Sequence, residues 1–142
     1  MVVTESTARV EIFKKFFSII NTNKLSNTTV LATFPEKSPT FPSYVVNPAQ
    51  VSNTSLAIDT GSREINFTLE IDMYGDARDG TEKIDEMKDN VIDTLRASSN
   101  IASFKTDKIS IIRVEDLGND QDVFRDMKLN IGGVRAEGVL LL

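Results

Sequence analysis

EINFTLEIDMY, residues 64–74, is the stretch that decides the fold. Ile65, Phe67, Leu69, Ile71 and Met73 alternate strictly with Asn66, Thr68, Glu70, Asp72 and Tyr74. A period of two predicts a strand with one face in a core and the other in water. The turn residues Gly75-Asp76-Ala77-Arg78-Asp79-Gly80 follow, and then the period changes. Over 81–98, Ile84, Met87, Val91 and Leu95, with Ile92, recur at three- and four-residue spacings between charged residues. That spacing predicts a helix lying on the apolar face of the strand. Asp79 and Glu82 stand three apart, as in a capping box at its start.

Upstream, Val10, Ile12, Phe13, Phe16, Phe17, Ile19 and Ile20 mark a second helix over about 4–21. Its apolar arc spans roughly 200°, wider than the ~100° stripe that rests on one sheet. The surplus is met either by a loop or by a neighbouring subunit, through Ile12, Phe16 or Phe17. Residues 29–34 form a short β-rich run. All four prolines, Pro35, Pro39, Pro42 and Pro48, fall in 34–48. Proline cannot donate to a ladder, so an extended connection is expected there, with a short edge strand at Phe41, Tyr44, Val45 and Val46. Within the polar stretch 47–61 a strand is expected only at 56–59.

Downstream, Ile109, Ile111, Ile112 and Val114 change phase within 108–115, the mark of a bulge or of burial on both faces. Leu117-Gly118-Asn119-Asp120 reads as a turn into 123–131, completing a hairpin that Gly132-Gly133 end as a hinge. Val139 to Leu142 is then a final strand or a free end. The order helix, weak strands, long strand, helix, hairpin predicts a single α+β domain over 1–142. Its expected architecture is an open four- to five-stranded mixed or antiparallel sheet with two helices on one face. The ends, 1–5 and 133–142, are expected to be flexible. A polar sheet face and open strand edges are left for something to cover.

Composition narrows the function classes. The 142 residues are 40% hydrophobic and 26% charged, an ordinary globular balance. Sixteen basic against twenty-one acidic residues give a net charge of −5, which argues against tight binding of nucleic acid. With no cysteine and no histidine, the chain lacks disulfides, zinc-thiolate sites and the commonest general base. No apolar run approaches 18 residues and no leader precedes the first helix, so a cytoplasmic protein away from membranes is expected. The sequons at Asn27, Asn53 and Asn66 then read as chance matches. Asp59, Glu70 and Asp72 are the best material for a metal-dependent hydrolase, but no nuclease-like Glu-x-Lys follows them. The loop from Gly75 to Glu82 lacks the ligand spacing of a calcium site. The chain is expected to be no enzyme and to use no cofactor or metal. A metal-dependent hydrolase and a monomeric module for a protein, peptide or small ligand stand as alternatives.

The succession of an amphipathic helix, the proline-bearing "FPSYVVNP", the strand ending "LEIDMYGDARDG", the helix "TEKIDEMKDNVIDTLRA" and the strand "VFRDMKLNI" resembles the tail terminator and tail-completion proteins of long-tailed phages. The resemblance covers Ala8 to Ile131. The Ser/Thr/Asn-rich insertion near 51–60 and the apolar tail after Gly133 depart from the pattern. The resemblance implies a homo-oligomeric ring, hexameric in that family, that caps the tail tube and offers its other side to a neck or head-completion protein. A connector on the portal side is the close variant. Its place would be the virion neck, after assembly in the host cytoplasm. DNA would pass through the lumen without tight binding. Glu70, Asp72 and Asp126 on the polar face are candidates to line that lumen. Arg78 and Asp79 at the loop tip, with Ile12, Phe16 and Phe17, are candidates for the contact between subunits.

Overall fold

The alternating stretch is the middle of the strand that organises the sheet, β4 (Ser62–Asp76). The computed structural model describes residues 7–32, 42–57, 62–124 and 127–141, with backbone only at 53–57, 62, 63, 79 and 124. The elements around β4 are α1 (Ala8–Asn23), β1 (Thr29–Leu31), β2 (Ser43–Val46), β3 (Gln50–Ala57), a 3-10 turn (Ala77–Asp79), α2 (Glu82–Arg96), α3 (Ser98–Thr106), β5 (Ile109–Phe124) and β6 (Met127–Leu141). One open mixed sheet has the strand order β1-β2-β4-β6-β5, with β3 also paired to β4. Only the β1–β2 pair is parallel. This is the expected α+β architecture, built larger, with six strands and three helices among the described residues.

The core forms where the apolar periods of strand and helix meet. β4 buries Ile65, Phe67, Leu69, Ile71 and Met73 on one face. Against them α1 sets Ala8, Ile12, Phe16 and Ile20, α2 sets Ile84, Met87, Val91 and Leu95, and α3 sets Phe104. The Phe16 ring lies 5.8 Å from Phe67 and 4.8 Å from Phe104 between centroids, so α1, β4 and α3 meet at one aromatic cluster. Burying a side chain of that size stabilises the fold by about 2–3 kcal/mol. Ile12 and Phe16 are fully buried in this core, which corrects their assignment to a subunit interface. The surplus arc of α1 is also used internally, since Phe13, Phe17 and Ile19 pack against the same cluster.

β6 departs furthest from expectation. Gly132 and Gly133 do not end a strand but lie inside β6, and residues 133–140 are paired to β4 on one side and largely to β5 on the other. The stretch expected as a final strand or a free end is a strand through Leu141, and it lies inside the sheet. Its glycines make room. A Cβ on Gly132 would lie 2.6 Å from Ile84 Cγ2 and 3.2 Å from Lys88 Cδ, and one on Gly138 would collide with the Ser110 carbonyl and lie 2.8 Å from Phe67 Cζ. Gly132 thus lets α2 rest close on the strand, and Gly138 lets β5 and the Phe67 ring close in.

The turn expected at 117–120 is a bulge within the 16-residue β5. Pairing with β6 slips between Asp116 and Asn119, and Gly118 takes φ 84°. Asp116 Oδ1 accepts from the Gly118 amide at 2.7 Å and from Lys88 Nζ at 3.1 Å. The Gly118 amide, opposed by burial and helped by Lys88, holds this carboxyl below its usual range. A second slip, between Ile111 and Arg113, is the bulge that the phase change predicts. The strands of the hairpin end at Phe124 and Met127 instead.

The remaining differences have local causes. α3 replaces an expected connection; with Ile101 and Phe104 as its only large apolar residues, SSNIASFKT shows no period to read. α2 begins after Thr81 with no side-chain cap, and Asp76 caps the 3-10 turn by accepting from the Arg78 amide, so the Asp79 and Glu82 capping box is not the start of the helix. β2 is no edge strand, because β1 pairs along its outer side. β2 and β3 lie end to end along one side of β4, and the Asn47 amide and side chain both donate to the Glu70 carbonyl, at 3.0 and 3.2 Å, across the break. Pro48, just past that break, has no N–H for the ladder. β3 therefore spans 50–57 where only 56–59 was expected, and Phe41 and Asp59 lie outside the described residues.

Candidate functional site

The face of the sheet opposite the helices is built from the polar half of the β4 alternation. Its composition follows from register, since cross-strand neighbours share a face. β4 contributes Glu64, Glu70, Asp72 and Asp76; β5 contributes Glu115, Asp120 and Asp122; β6 contributes Glu137. Against these carboxylates the described residues of the strands set Arg113 and Arg135, and the 3-10 turn sets Arg78 beside Asp76.

Arg135 is the centre of the face. Its Nε and Nη2 donate to Glu70 Oε1 at 3.1 and 2.8 Å, and its Nη1 lies 3.7 Å from Glu115 Oε2. Glu70, a candidate to line the lumen, is thus paired. Asp72, two residues on, accepts from Asn47 Nδ2 at 2.9 Å. Burial raises its pKa, the Asn47 bond pulls part of that rise back, and Glu70 adds to it. Tyr74 is pushed up by burial and then by Asp72 and Asp122, which shows the sign of the field here. Asp126 lies outside the described residues.

At the end of β4, Arg78 is exposed and folds back on Asp76, with Nη2 2.6 Å from Oδ2 and Nε 3.1 Å from Oδ1. An exposed pair of this kind adds little to stability. The backbone of Asp79 closes the 3-10 turn; its side chain is outside the description. Phe17 is half-buried beside Phe13, their centroids 5.8 Å apart. The expected site residues therefore divide: Glu70 and Asp72 share one face, Arg78 stands at its end, and Ile12, Phe16 and Phe17 lie on the far side of the sheet.

Among the described residues no group of three or more His, Cys, Asp or Glu is placed to hold a metal ion. No helix among them is long and apolar enough to cross a membrane. Tyr44 is fully buried with its hydroxyl engaged internally.

A feature that sequence reasoning missed lies at the free edge of β5. α2, α3 and β5 enclose an open apolar groove of about 570 Å³. Leu95, Phe104 and Ile109 floor it, Ile101 and Ile112 stand at its mouth, and Arg96 and Lys105 are the charged residues that line it. The signal was Ile112, out of phase in its strand and 71% exposed. Without α3 in the reading, nothing formed the other wall.

Neither a protein-family model nor a curated protein matches the sequence. Among solved structures, the chain aligns with one from the virion of a native gene transfer agent (GTA) particle, at 14% identity and a TM-score of 0.46. The alignment covers 94% of this chain and 93% of that one. A likeness of that degree says nothing about function.

Proposed function

We propose that this chain is a structural subunit of a phage-like particle, a tail terminator that closes into a homo-oligomeric ring, caps the tail tube and joins it to the head. The observation that supports this reading is the division of the sheet into a helix-covered face and an open face dominated by carboxylates. Turned inward in a ring, such a face repels the phosphate backbone, so DNA passes without being held. The carboxylates pair with Arg78, Arg113, Arg135 and Asn47 or stand in solvent, which suits a lining surface. Long open edges such as β5 are the other support, because a soluble protein covers such edges or pairs them with a neighbour.

Light scattering and negative-stain imaging of the purified chain, alone and mixed with tail tubes, test the proposal. Rings with the mass of six chains, seated on tube ends, are the expected result. A chain that stays monomeric at its highest soluble concentration and leaves tubes uncapped overturns it. Turnover of a substrate with magnesium or manganese, lost in Glu70→Ala and Asp72→Ala, would replace it with a metal-dependent hydrolase.

A further inference from the structure

We infer that the groove at the β5 edge is a socket between subunits, and that its occupant is the acidic far end of β5, around Asp120, Asp122 and Val123, of a second copy of this chain. The inference rests on the ring reading above and gives it a specific contact. Of the large apolar side chains that the fold leaves exposed, Ile101, Ile112, Leu117 and Val123 all lie at the groove or along β5. Exposed apolar surface concentrated on one strand edge marks an interaction surface.

Charge identifies the occupant. The charged residues lining the socket, Arg96 and Lys105, are both cationic, and neither has an ion-pair partner among the described residues. At the other end of the strand, Asp120 and Asp122 are exposed and accept from the neighbouring amides of Gln121 and Val123, at 2.8 and 2.7 Å. Lys128, across from Val123, stands on the opposite side of the ladder, and Arg78 near that end is folded onto Asp76. Val123, 62% exposed, comes next on the opposite face of the strand and adds apolar surface to that end. Residues 111 and 122 are about 35 Å apart along a strand, so a chain cannot fill its own socket. The socket and the acidic end are different surfaces, and a contact between different surfaces runs head to tail and can close a ring.

Charge reversal on the full-length chain tests this by light scattering and sedimentation. Arg96→Glu with Lys105→Glu, or Asp120→Lys with Asp122→Lys, is expected to weaken assembly by at least about tenfold in dissociation constant. Combining all four substitutions in one chain is expected to restore assembly to near the wild-type level, because the two surfaces again match. Val10→Asp, at an exposed position on α1, serves as the control and is expected to leave assembly unchanged. If the wild-type chain assembles and both reversals assemble equally well, or if the fourfold variant fails to recover, the socket has a different occupant and this inference falls while the ring stands. A wild-type chain that never associates overturns both. An exclusively dimeric wild type also overturns the head-to-tail contact.

Discussion

Tyr44 has its ring in the core and its hydroxyl in a closed polar relay. The hydroxyl donates to Asn90 Oδ1 at 2.8 Å, Asn90 Nδ2 donates to the Asn23 carbonyl at 2.9 Å, and the Leu25 amide reaches back to the hydroxyl at 3.5 Å. Burial, partly offset by Leu25, pushes the phenol up to about 12, so it remains a donor at all ordinary pH values. Tyr44→Phe keeps the packing but orphans Asn90 Oδ1. A buried polar group left unmatched costs about 1–3 kcal/mol, and urea titration is expected to show a loss of that size with an unchanged slope. Asp72 carries the opposite lesson. Its raised pKa means that the folded chain binds this proton more tightly than the unfolded one. Stability therefore falls as pH rises from the unfolded carboxyl value through the folded one, and the cost persists at neutral pH. Asp72→Asn is expected to raise the melting temperature at pH 7. Below the unfolded carboxyl value, where Asp72 is protonated in both states, the shift is expected to vanish; a shift of equal size at both pH values would contradict the assignment.

At the scale of elements, the glycines of β6 separate two kinds of position. Gly138 has backbone above it, the Ser110 carbonyl, and backbone has nowhere to move. Gly133 has only Asp72 Oδ1 and the Leu117 side chain, each at 3.3 Å. Gly138→Ala is expected to cost about 2–3 kcal/mol, as overpacking does, and Gly133→Ala much less, with chemical denaturation of the two variants as the measurement. The same residues show where sequence reading stops. β4 and α2 were legible because each places apolar residues at one clean period over many turns or pleats. Gly132-Gly133 was misread as an ending because the local preference of glycine is for turns, whereas the value of Gly132 here is the missing side chain beneath Ile84 and Lys88. Leu117-Gly118 was misread in the same way: a left-handed glycine suits a turn and a bulge equally, and only pairing across to β6 separates them.

At the scale of the molecule, the polar face was legible in part. Glu70 and Asp72 followed from the β4 alternation alone, but Arg135, Glu115 and Glu137 join them only through the β4–β6–β5 register, which no local pattern encodes. The socket was illegible for a related reason, since its walls come from three elements, and one of them, α3, has no periodic signature. The strand order carries one further consequence. β6 is the last of the six strands to be synthesised, yet it lies between β4 and β5. Until it emerges from the ribosome, β5 has no neighbour and β4 has one bare flank, so the nascent domain waits with its two longest finished strands unjoined. The fifteen residues of β6 are the zip fastener between them, paired to one strand along each flank.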